Sequence, residues 1–310
     1  MHRRAFLARS AAALGLAAPA LASPARAQAL PAFTLQVGGN RPATIEVLTE
    51  PALEAGQLAL VRRWVEMSAE ALRLYYGRFP VPACRIVIDV GTYRSIGGAA
   101  YSGDIPQLEI RMPASASEQL LLRDDWVMTH EMTHLAFPWM RRRHNWLAEG
   151  LAVWVGSVVR VAAGHWPAEA MFAECVAMMP RGQPEPGEGG FEQTRSWGRT
   201  YWGGAIFCLQ AEMRIRAATD AKQGLREAVV AINLERDFRK LWDIESSLAL
   251  GDAALGKPIL TDLYREMGFS AVTVDLDALW RDLGVVATGK TVAFDDTAPK
   301  AAWRRGMVEV

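Results

Sequence analysis

Residues 130–134 read His130-Glu131-Met132-Thr133-His134: two histidines four apart, with a glutamate directly after the first. On an α-helix, residues four apart share one face, one turn above the other. His130 and His134 can therefore offer ring nitrogens to one ion. Glu131 is turned by about 100° from His130, the helical step, and need not ligate it. It can instead reach a water from the side. Neutral imidazoles holding Zn²⁺, with a carboxylate to take the proton of a water, are the parts of a zinc hydrolase.

A catalytic zinc usually has three protein ligands and one open position. A histidine six residues after the second would complete one known arrangement, but that position is Met140. His144 follows the arginines 141–143 at a spacing that matches no such arrangement. Glu149, in Asn145-Trp146-Leu147-Ala148-Glu149-Gly150, is the better candidate, with 14 residues between it and His134. Pro138 and the basic turn let the chain reverse, and Asn145 reads as the N-cap of a second helix starting at Trp146. That helix can lie antiparallel to the first and turn Glu149 toward the histidines. A carboxylate among Trp146, Leu147, Leu151 and Val153 needs a partner, because burying it unpaired is costly. One Zn²⁺ per chain would be that partner; the alternative is that Glu149 is a surface residue.

These side chains need elements to place them. "FTLQV" and "ATIEVL" flank Gly38-Gly39-Asn40 and read as a hairpin. Residues 52–76 carry Leu60, Trp64, Met67, Ala71 and Leu74 at helical spacing, ended by Gly77 and Pro80. "RIVIDV" (85–90) reads as a buried strand. "QLEIRM" (107–112) alternates, as a strand with one solvated face does. It is either an edge strand on which an extended peptide docks or an internal one. "GGAAY" (97–101) is either a place of close substrate approach or a simple turn. Ser115 and Glu118 suit a capping box for the stretch through the two histidines to Phe137, with a break near Asp124. Beyond it the pattern is mainly helical, interrupted by the Pro/Gly-rich segment 179–198 and ending in "TVAF" and a final helix. The expected fold class is α+β: a mixed-sheet α/β subdomain over residues 30–140 that carries the histidine helix, then a mainly helical subdomain over residues 141–310 that carries Glu149.

The bulk properties exclude little. Of 310 residues 51% are apolar, enough for a sizeable core, and 34 basic residues balance 34 acidic ones. That balance argues against nucleic acid as a partner. Residues 1–29 read as an export signal: a basic start with Arg3-Arg4 of twin-arginine type, an apolar run from Ala11 to Ala22, and small residues suited to cleavage. Pro19 and the shortness of the run argue against a lasting membrane span. The expected location is periplasmic or secreted in a bacterium. Loss of residues 1–27 removes four arginines and no acid, which leaves 30 basic against 34 acidic residues. Cys84, Cys175 and Cys208 are widely spaced and read as small buried apolar residues, with one disulfide at most. His165 reads as structural.

With both motifs in hand, the chain resembles the gluzincin metallopeptidases, the thermolysin-like (peptidase MA-like) superfamily, and within it the branch containing glycyl aminopeptidases. "YWGGAIFCLQAEMRIRAATDAKQGLREAV" (201–229), "DLDALWRDLGV" and "FDDTAPKAAWRRGM" are similar to that branch's later segments, so the resemblance covers about residues 83–310. It implies His130, His134 and Glu149 as zinc ligands, Glu131 as general base and then proton donor, and Tyr201 as donor to the oxyanion, with Arg199 as fallback. It implies a peptide or protein substrate. Related aminopeptidases hold the substrate's amino group with an acid in the glycine-rich segment; "GGAAY" has none, leaving Asp104 or Glu109 as substitutes. Thermolysin carries an acid four residues after its glutamate ligand; Val153 stands there. A peptidase-like binder without catalysis, and a zinc hydrolase acting on another bond, are the rival readings.

Overall fold

The alternating run after Pro31 forms β1 (Phe33–Val37), which pairs antiparallel with β2 (Ala43–Glu50) as the hairpin reading expects. The computed structural model describes residues 31–39, 41–237 and 239–309, so the expected export signal lies outside the described residues. From β2 the chain crosses through α1 (Ala55–Tyr76) to β3 (Ala83–Gly91), which lies parallel to β2. Val61, Trp64, Val65 and Leu72 form the buried side of α1, and Gly77 ends it in the left-handed conformation at φ 72°. A parallel pair needs such a crossover, since a tight hairpin only joins antiparallel strands.

Next come β4 (Gly97–Tyr101) and β5 (Gln107–Pro113). The sheet order is β1-β2-β3-β5-β4, with β5 parallel to β3 and β4 antiparallel to β5. The edge strand is therefore β4, not "QLEIRM", and "GGAAY" is a strand rather than a turn. Alternation fixes which face of β5 is buried, and Leu108, Ile110 and Met112 are buried as expected. It carries no information about what lies along the strand's two edges.

After β5 a turn of π-helix (Leu120–Asp124) leads to α2 (Val127–His134). Ser117, not Ser115, receives the backbone N–H of Leu120, at 3.2 Å, and Glu118 pairs with Arg63 instead of capping. Asp125 accepts from the N–H groups of Val127 and Met128 and from Trp64 Nε1 at 2.8 Å, which ties the start of α2 to α1. The short β6 (Trp139–Met140) and a turn at Arg142–His144 reverse the chain into α3 (Asn145–Ala162).

The remainder is mainly helical, as expected: α4 (Ala168–Met178), α5 (Gly204–Ala218), α6 (Leu225–Glu235), β7 (Leu241–Trp242), α7 (Ile244–Leu255), α8 (Ile259–Phe269) and α9 (Leu276–Leu283). β8 (Val285–Thr288) and β9 (Thr291–Phe294) form a hairpin before α10 (Ala301–Val308), and β7 pairs with β6. One apolar core joins the sheet to these helices. It includes Cys84, Cys175 and Cys208, all free thiols. Gly150 of α3 and Gly204 of α5 touch backbone to backbone, and a side chain on either would drive into the other helix. That contact sets the position of α3 one residue from Glu149. Among the described residues no helix is long and apolar enough to cross a membrane.

Candidate metal centre

The structure brings His130, His134 and Glu149 together. Their ligand atoms lie within 4.8 Å of one another, and they form a group that could hold a metal ion. Glu149 Oε2 is 3.2 Å from His130 Nε2 and 3.6 Å from His134 Nε2. Ligands about 2.0–2.1 Å from a tetrahedral zinc lie about 3.3 Å apart, so the donor set suits that ion in both type and spacing. Gly156, two turns beyond Glu149, rests against His130 and Thr133, which lets α3 return closely along α2.

Asn145 does not cap α3 as expected. The helix begins at Asn145 itself, whose side-chain amide instead donates to Glu149 Oε1 at 3.4 Å. His144 is buried and takes no part in the group. Arg143 Nε donates to its Nε2 at 3.0 Å, so Nδ1 carries the proton and donates to Glu192 Oε1 at 2.8 Å. Trp146 Nε1 donates to the same oxygen at 3.2 Å. Glu192 thus pins the start of α3 to the segment before Tyr201.

The electrostatics follow from burying acids beside imidazoles. Burial pushes the Glu149 carboxyl up, but the His134 charge, the His130 hydrogen bond and the close approach of both rings outweigh it and hold the group well below the usual carboxylate range. Burial disfavours charge on His134, and the Glu149 carboxylate overcomes it, raising that ring above its ordinary value. Glu131 is raised by burial, with the two imidazoles opposing and Glu149 and Asp125 adding. His130 is 4% and Glu131 7% exposed.

His130 Nδ1 is buried without a hydrogen-bond partner among the described residues. Val153, on the cleft wall, offers it none. Packing orients the ring instead. Trp126 meets it edge-on at 5.0 Å, and Tyr201 stacks at 6.1 Å and 11°.

Glu131 lies under the edge strand. A methyl group at Gly98 would come within 2.6 Å of Glu131 Cγ. Only a residue without a side chain lets β4 and the carboxylate lie this close. Sequence reasoning singled out "GGAAY" but missed this role; the signal was a glycine pair upstream of the histidine helix.

Tyr201 sits in a second π-helical turn (Arg199–Gly203), a local distortion frequent at functional sites. Burial, then the charges of Glu149 and Glu131, push its phenol well up, with the nearby Glu149 carboxylate adding to it. Trp197 stacks on its ring at 5.5 Å. Arg199 is not the fallback donor. It is buried, donates to Gly182 O at 2.8 Å and lies over Phe191. Tyr201 lines the cleft and Arg199 does not. The group opens into a cleft of about 1200 Å³ bounded by β4, α2, α3 and the segment before Tyr201.

The sequence matches no family model and no curated protein. The fold is similar to that of an aminopeptidase N family protein from Idiomarina loihiensis, at a TM-score of 0.56 and 12% identity over 82% of this chain and 49% of that one. It is similar also to an M1 zinc metallopeptidase from Deinococcus radiodurans, at 0.51 and 17% identity over 78% of this chain and 52% of that one. This chain thus spans about half the length of either structure. The likeness is one of fold alone.

Proposed function

We propose that this chain is an exported zinc-dependent metallopeptidase of the gluzincin type, nearest the glycyl aminopeptidase branch, that hydrolyses peptide bonds. One observation carries the reading: His130, His134 and Glu149 converge at the spacing of a tetrahedral zinc, with Glu131 beside them on one cleft wall. His130, His134 and Glu149 would hold the ion. Bound there, zinc would supply Lewis acidity, lowering the pKa of water and polarising a carbonyl. Glu131 would take the proton of the attacking water and deliver it to the departing amine; its raised proton affinity suits both acts. Tyr201 would donate its hydroxyl to the oxyanion of the tetrahedral intermediate, and its raised pKa would keep that proton in place for donation. Export rests on the sequence of residues 1–29, and the substrate class on the resemblance.

Metal analysis of the purified protein, together with a digest of a mixed peptide library, tests the reading. One equivalent of zinc with cleavage is the expected result. Zinc at one equivalent without cleavage would instead favour a peptidase-like binding protein.

A further inference from the structure

Apart from the metal group, the cleft carries more positive groups than negative ones. Arginines line it in excess of glutamates, and it has neither lysine nor aspartate. Glu131 and Glu149 belong to the metal group. Glu192 is held by His144, Trp146 and Arg143. Glu174 is the remaining acid, and it has contacts of its own. Among the arginines, Arg143 faces Glu192 and Arg160 is buried over Trp166. The other five are Arg94, Arg111, Arg141, Arg142 and Arg195. All are exposed, and no hydrogen bond or ion pair joins their side chains to a described residue.

These five come from separate elements. Arg94 precedes β4 and Arg111 is on β5; Arg141 and Arg142 are in the turn between α2 and α3; Arg195 is in the segment before Tyr201. They surround the cleft mouth rather than marking one solvated helix face. Arg111 is the most closely placed. It is paired in register with Gly97, and its guanidinium lies across that glycine, where a methyl group would meet Nη2 at 3.2 Å. A peptide laid along the free edge of β4 sends alternate side chains to each face of the sheet. One face is that of Gly98 and Glu131; the other is that of Gly97 and Arg111. Guanidinium groups match carboxylates in planar, bidentate geometry.

The same cleft offers little to a free amino terminus. β4 contains no acid, and neither Asp104 nor Glu109 lines the cleft. The two substitutes considered for an amine-binding acid are therefore out of place.

We infer that the cleft selects substrates through carboxylates flanking the reacting bond, and that it takes acidic segments within a chain rather than free N-termini. The inference builds on the hydrolase reading above for what happens at the bond, but not for binding. Its test uses zinc-loaded full-length protein and matched fluorescent peptides with Glu, Gln or Lys on both sides of one central bond, each with a free or an acetylated N-terminus. Binding is read by anisotropy on the E131Q variant and cleavage on the unaltered chain. The Glu peptide should bind roughly tenfold or more tightly than the Lys peptide, the scale of a cleft lined by one sign of charge. Acetylation should not weaken it. The preference should shrink at about 1 M salt, where the screening length falls to about 3 Å. It should invert in R94E/R111E at unchanged zinc content; R141E/R142E provides an independent pair should the first fail to fold. Equal binding of all three peptides, or loss of binding on acetylation, overturns the inference. A chain that binds the Glu peptide selectively but cleaves nothing sinks the hydrolase reading alone. One that cleaves Lys and Glu peptides alike sinks this inference alone.

Discussion

Gly98→Ala is the smallest change that separates holding a metal from using it. The added methyl would lie 2.6 Å from Glu131 Cγ, 3.0 Å from Glu131 Cδ and 2.9 Å from Ile110 Cδ1. Carbon atoms pack at about 3.5–4.0 Å, so about 1 Å must be found. Ile110 is 1% exposed in the sheet core and has little room to retreat. Glu131, at the cleft wall, is the group that moves. Gly98 is not in the left-handed region, so backbone strain does not enter. Overpacking of this kind costs about 1–3 kcal/mol, offset by about 0.4–1 kcal/mol from a less disordered unfolded chain. A displacement of about 1 Å in a reacting group can cost about 100-fold in rate. The expected outcome is a loss of about that size in kcat/KM on the best library peptide. Zinc content should stay at one equivalent, with only a small drop in melting temperature. Full activity in Gly98→Ala would refute the placement of Glu131 as the base. Gly97→Ala is the contrast, since its methyl meets only the mobile end of Arg111 and should leave zinc content and Glu131 undisturbed.

Tyr201→Phe should lower kcat by about 100-fold or more, the usual cost of one oxyanion donor, without loss of zinc; an unchanged kcat would reduce Tyr201 to a packing partner of His130. Removing zinc with a chelator should lower the melting temperature. Restoring it at about 100 times its dissociation constant should return about 2.7 kcal/mol of stability, and a melting curve indifferent to zinc would count against a site in the folded chain. Gly150→Ala, and separately Gly204→Ala, should separate α3 from α5, destabilise the protein by about 1–3 kcal/mol or more and weaken zinc binding through Glu149. Titration of zinc against a competing chelator checks this, and unchanged affinity in both variants would contradict the role given to that contact.

The parts of the fold that were legible are those written in local periodicity. The helical spacing of Trp64 and its neighbours gives α1, and the alternation of Leu108, Ile110 and Met112 gives the buried face of β5. His130, Glu131 and His134 are legible for the same reason, since one helical turn fixes their relation. Glu149 was reachable because a short reversal and a cost of burial together leave few places for it. What stayed hidden depends on contacts between distant residues. β4 is a strand because β5 lies beside it, not because glycine and alanine favour strands. The break near Asp124 was legible, but not that Asp125 beside it accepts from Trp64, nor that Asn145 gives up capping to reach Glu149. His144 has no readable partner until the fold brings Glu192 to it. The glycines at 98, 150 and 204 matter only through the surfaces opposite them.

The central claim is that one zinc at His130, His134 and Glu149 activates water with Glu131 as its base. Glu131→Gln tests it most directly, with zinc content and peptide-library cleavage measured on the same preparation beside the unaltered chain. The account predicts one equivalent of zinc in both and cleavage only in the unaltered chain. Cleavage retained in the variant at equal zinc would contradict it.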